Sequence, residues 1–171
     1  MLKKWLILVI VLSCAIFTVS SGCSEKSNGN ITKVTTSESG QAKNLTIEST
    51  NNSGGKTETK IVSTGNSDDW CRVGSSVSQE NPNTHQMESM KITGIETVDE
   101  IPMCKAVYES NVNDNNYTRL EYLWSQDEKT IQSTAFDKSG NKISEFSIKN
   151  GTVRMVDKDG KETEFSTQNY T

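Results

Sequence analysis

The 171-residue chain predicts a mainly β protein: an antiparallel meander forming a curved sheet or half-barrel, preceded by a signal peptide and a disordered tether. Three observations carry that prediction. Short runs of alternating apolar and polar residues fill the chain from about residue 67 onward, which is the period-2 pattern of half-buried strands. Clusters of Gly, Asn and Asp separate the runs at hairpin spacing. Behind residue 22 no stretch of twelve residues carries a helical stripe, although 69–76 could open one.

The first element is a targeting segment over residues 1–22. Met1 to Trp5 is a short basic start, and residues 6–19, LILVIVLSCAIFTV, are 14 residues without a charge. A positive start followed by an apolar run of this length reads as a secretory signal peptide. It is short for a transmembrane helix, which takes roughly 20 apolar residues. Small residues follow, Ser20, Ser21 and Gly22, and then Cys23, where the chain turns abruptly polar. This junction resembles the lipobox of prokaryotic lipoproteins, with Ser20 standing where such motifs usually carry Leu. The resemblance implies a diacylglycerol on the Cys23 thiol, cleavage before it, and a membrane anchor outside the cytoplasm. Cys14, in VLSC, is the alternative lipidation point, and an uncleaved N-terminal anchor is the alternative to processing; every version tethers the chain at the outer face of the membrane.

Residues 23–66 are dominated by Ser, Thr, Asn, Gly, Lys and Glu, with few apolar positions. Such a composition buries too little apolar surface to offset its ordering entropy and reads as a tether. LTIEST, NNSGG and KTETKIVST alternate enough for a hairpin over 43–64, the competing reading. Asn30, Asn44, Asn51, Asn116, Asn150 and Asn169 each open an N-x-[S/T] sequon, a glycosylation acceptor in an exported chain.

Residues 67–171 form the β domain. QMESMKITGIE, MCKAVYES, TRLEYLWS, TIQSTAFD, KISEFSIK, TVRMVD and KETEFST read as seven strands, broken by DKSGN, KNG and DKDGK. In TRLEYLWS, Leu120, Tyr122 and Trp124 share one face and Arg119 and Glu121 the other. DKSGNKISEFS (137–147) and DKDGKETEFS (157–166) share a turn and an E-F-S, as successive hairpins of one meander. Cys71 and Cys104, 33 positions apart in an exported chain, read as one disulfide, with a redox pair as the alternative.

Composition narrows function. The formal charge is −4, and −6 once residues 1–22 with Lys3 and Lys4 are removed, which opposes nucleic-acid binding. The single histidine, His85, sits in NPNTHQ on a predicted loop without a triad around it. Asp157, Asp159 and Gly160 suggest part of a calcium loop, but glycine comes at the fourth place instead of the sixth, and a hairpin turn explains every residue. The chain implies no cofactor and no metal. Carboxylate pairs for a hydrolase are not readable from a sequence in which acids are plentiful.

The hairpins behind a lipid anchor resemble half-barrel lipoprotein carriers of the LolA type. The SGC junction, the Ser/Thr/Asn-rich segment and GIETVDEIPMCKAVYES resemble small lipoproteins of prokaryotes, above all of methanogenic archaea, a family without an assigned activity. The expectation is a lipid-anchored binding protein for an amphiphile or a cell-envelope component, with Leu120, Tyr122 and Trp124 on its apolar ligand face. The alternatives are a structural or adhesive surface protein without a small ligand, and an envelope hydrolase.

Overall fold

The computed structural model describes residues 30–40, 42–66, 68–112 and 117–166. They form eleven strands and no helix: β1 (Asn30–Ser39), β2 (Ala42–Thr50), β3 (Lys56–Ser63), β4 (Ser76–Asn81), β5 (Gln86–Val98), β6 (Ile101–Ser110), β7 (Arg119–Ser125), β8 (Thr130–Phe136), β9 (Lys142–Lys149), β10 (Thr152–Asp157) and β11 (Glu162–Ser166). Their spatial order is their chain order, all pairs antiparallel, in one open sheet whose edges are β1 and β11. Every substantial contact between elements joins chain neighbours, so the sheet does not close on itself. The predicted meander is present, and all seven predicted strands correspond to β5–β11.

Two expectations are corrected. The tether over 23–66 carries, from Asn30 on, three strands of the same sheet. The competing hairpin over 43–64 corresponds to β2 and β3, which pair from Lys43–Ser63 to Thr50–Lys56. These strands form because β3 pairs with β4, which stacks Ile61 on Val77 and gives the polar hairpin a template. The helix considered over 69–76 is absent: these residues form turns, and β4 begins at Ser76.

Local chemistry sets each turn. In DKSGN the Asp137 Oδ1 accepts from the N–H groups of Ser139 and Asn141, both at 2.8 Å, and Gly140 takes φ 81°. DKDGK repeats the device: Asp157 Oδ1 accepts from Asp159 and Lys161 N–H at 2.9 Å, with Gly160 at φ 80°. These are Asx turns, which explains why the two hairpins look alike in sequence. Asn150 and Gly151, at φ 51° and 81°, form the two-residue link between paired Lys149 and Thr152. Asp99 and Glu100 do the same between Val98 and Ile101, but at φ 48° and 65° without a glycine.

The core lies on the face carrying Met90, Ala106 and Tyr108, buried in the middle strands, with Val77, Ile92, Tyr117, Leu120, Tyr122 and Trp124 packed around them. Two non-strand pieces lean on this face. Tyr117, from the β6–β7 connection, meets Tyr108 edge-on at 6.2 Å. The β3–β4 connection is held by the Cys71–Cys104 disulfide, with Cys71 Sγ also 3.5 Å from the Gly94 carbonyl and Cα atoms 5.5 Å apart. Gly94 follows a register irregularity in β5, next to this crossing.

Candidate functional site

Register places the apolar residues in three cross-strand rows on one face. The first runs Ile61, Val77, Met90, Tyr108, Leu120 and Ala135, from β3 to β8. The second runs Ile92, Ala106, Tyr122, Ser133, Phe146 and Met155, from β5 to β10. The third runs Cys104, Trp124, Ile131, Ile148, Val153 and Phe165, from β6 to β11. Directly opposed residues in antiparallel strands hold their Cβ atoms about 4.5–5.5 Å apart, so the rows form apolar tracks, the second interrupted by Ser133. Small residues flank the large ones: Tyr122 lies between Ala106 and Ser133, and Leu120 is next to Ala135.

The predicted face residues Leu120, Tyr122 and Trp124 are therefore neighbours on one surface, each half-buried. Sequence reasoning missed the other strands' contributions, because which residues stand beside Tyr122 depends on register. The tracks stay open toward the flanks, where Ile61, Met155 and Phe165 are 37, 48 and 46 % exposed. Nothing among the described residues covers them there.

One end of this face is polar. The Tyr108 hydroxyl donates to Glu88 Oε1 at 2.9 Å, and Ser110 is buried beside them on β6. Burial is the main cause that raises the Tyr108, Tyr117 and Tyr122 phenols above the ordinary tyrosine value; Glu88 adds to it at the first two. All three stay neutral hydroxyls at physiological pH, offering hydrogen bonds along a mostly apolar surface.

The opposite face is charged. Lys105 Nζ bridges Glu96 at 2.8 Å and Glu121 at 3.1 Å, and Arg119 pairs with Glu121 while its guanidinium sits 4.3 Å over the Phe136 ring. Farther along, Arg154 joins Glu145 and Glu162, at 3.2 and 2.6 Å. A groove of about 610 Å³ opens beside the β5 irregularity, lined by Glu96, Lys105, Glu109, Arg119 and Glu121 among others. Its two cations are occupied by its own carboxylates, which makes it a poor receptor for an anion. Where carboxylate pKa values shift, at Glu121, Asp127, Asp137 and Glu162, they shift down. None of these four is held protonated, as the acid of a hydrolase would be.

The remaining predicted positions are spread over the fold. His85 is exposed in the β4–β5 turn, its Nδ1 3.8 Å from Glu80. Asp157 and Asp159 belong to the hairpin turn described above, and no group of three or more metal-ligating side chains occurs among the described residues. Asn30 opens β1, Asn44 lies in β2, and Asn150 is an exposed turn residue. Asn51 is exposed too, but its Oδ1 accepts from the N–H groups of Ser53 and Gly55. Cys14, Cys23, the 1–22 segment, Asn116 and Asn169 lie outside the described residues. Comparison with protein-family models, curated proteins and solved structures returns no match for the chain.

Proposed function

We propose that the chain is a lipid-anchored binding protein at the outer face of a membrane, and that it holds an amphiphile against its apolar sheet face. The single observation that carries this reading is the set of three apolar tracks through Leu120, Tyr122 and Trp124. They remain open at the flanks in a sheet that neither closes nor packs on a second layer. The middle of the tracks is buried, and their exposed ends at Ile61 on one flank and Met155 and Phe165 on the other offer apolar surface to a ligand. The polar end narrows the chemistry. Glu88, bonded to Tyr108, repels an anionic head and suits a neutral or cationic group that donates hydrogen bonds. Cys23 supplies the anchor in this reading, on the resemblance of its junction to a lipobox.

The test is native mass spectrometry of the full chain, before and after extraction with organic solvent. It is paired with titration of an uncharged naphthylamine probe followed by energy transfer from tryptophan. Extractable mass and saturable probe binding are expected, with Tyr122→Asp weakening the probe at least tenfold and Trp124→Phe lowering the transfer signal. No extractable mass together with probe binding indifferent to Tyr122→Asp would sink the reading and favour a surface protein without a small ligand.

A further inference from the structure

We propose that two copies of this chain join through their β1 strands, by antiparallel pairing about a two-fold axis, into one continuous sheet. This goes beyond the amphiphile reading and stands whether or not a ligand exists.

The first observation is the edge itself. All ten residues of β1 are exposed, and among the described residues the strand is hydrogen-bonded on one side only, to β2. An edge this long exposes a row of unpaired N–H and C=O groups that natural sheets normally blunt with proline, lysine, bulges or brevity. β1 has no proline. Its one lysine, Lys33, is turned to Glu48 of β2 at 3.2 Å. Its one irregularity lies between Ile31 and Lys33, leaving 33–39 regular. Ile31 and Val34 are 66 and 55 % exposed, on the side that carries the apolar tracks, since Val34 opposes Ile47 and Thr36 opposes Leu45.

The second observation selects the partner. In a meander with an odd number of strands, β1 and β11 run in the same direction. Head-to-tail addition of copies with their apolar faces on one side would therefore set β11 parallel to the next β1. Parallel pairing is the less stable ladder and is rare outside sheets covered on both faces. Like edge against like edge gives an antiparallel pair, keeps both apolar faces on the same side, and closes as a dimer. Of the two edges β11 is unsuited: it has five residues, and self-pairing would crowd Glu162 and Glu164 of one copy against those of the other. β1 is uncharged from Val34 to Ser37, so its middle meets a second copy of itself without repulsion.

The test uses the full chain in density-matched detergent, by sedimentation velocity. A mass of two chains is expected. Thr35 lies near the middle of β1 and opposes Thr46 on the polar side, so a charge there leaves the apolar face untouched. Thr35→Lys and Thr35→Glu should each sediment as monomers with unchanged circular dichroism, and an equimolar mixture should recover the dimer. A second readout is independent of any variant: hydrogen exchange of β1 amides should slow as wild-type concentration rises. A wild-type monomer at every concentration, open-ended assemblies, or a dimer indifferent to both charges would overturn the proposal.

Discussion

Asp99 and Glu100 form the tip of the longest hairpin with both residues in the left-handed region, where a non-glycine side chain is strained by roughly 1–2 kcal/mol. Asp tolerates that region better than Glu and is tied down by Lys149, whose Nζ lies 3.2 Å from its Oδ2. Glu100 has no such compensation among the salt bridges of the described residues. Glu100→Gly removes the clash and adds chain entropy worth about 0.5–1 kcal/mol to the unfolded state. A net stabilisation of about 0.5–1 kcal/mol is therefore expected, read as a shift in the urea midpoint at constant slope. The charged face offers a second residue-scale expectation. The hydrogen bond to Glu96 is the main cause that raises Lys105 above its ordinary 10.5, against the opposing effect of burial. For Glu121, burial pushes upward but is outweighed by the hydrogen bonds from Lys105 and Arg119, leaving it below 4.5. Glu121's contribution to stability is complete above 4.5 and is lost as pH falls through its lowered folded value. Lys105's contribution is complete below 10.5 and is lost as pH rises through its raised one. Stability should thus be flat from 4.5 up to 10.0, above which the raised phenols of Tyr108, Tyr117 and Tyr122 also begin to cost stability. Glu121→Gln should make the acid limb shallower in denaturation measured across pH.

At the scale of elements, β5–β11 were legible because most of their inward positions carry Met, Ile, Ala, Tyr, Leu, Trp and Phe in alternation with polar residues. Their turns use Asp, Asn and Gly at the positions that need them. β1 was not, and β2 and β3 were legible only as the competing hairpin over 43–64, because their alternation is written largely in Thr, Ser, Asn and Lys. The β-branched threonines suit strands, but with so little to bury the segment resembles a disordered tether until its pairing with β4 is known. The site followed the same division. Leu120, Tyr122 and Trp124 could be grouped from one strand, whereas Phe146, Val153 and the Glu88–Tyr108 pair join them only through registers that no local pattern encodes. The pairing of β3 with β4 also predicts where a protease stops. Limited digestion should leave a core that starts before Ala42, with no early cut in β2 or β3. A core beginning near residue 67 would show instead that these strands open independently.

For the whole molecule, the disulfide closes a 33-residue loop around β4 and β5, which the chain-entropy model values at roughly 3–4 kcal/mol. That staple sits where the sheet most needs one, because an open single sheet has less interior than a two-layered domain of equal length. The proposed anchoring leads to a fourth expectation: Cys23→Ala should move the protein out of the membrane fraction or leave it unprocessed. Unchanged lipid labelling would transfer the anchor to Cys14.

The strictly sequential order of strands also decides how this molecule would yield to a pull. Drawn out by its two ends, a meander gives way like a zip: β1 leaves β2 and β11 leaves β10 one rung at a time, at low force, instead of shearing all rungs at once. The Cys71–Cys104 link then acts as a stop. At about 3.3–3.6 Å per residue, it withholds on the order of 110 Å of reach that only a reductant could release, so the fully drawn chain is shorter under oxidising conditions than its length in residues implies.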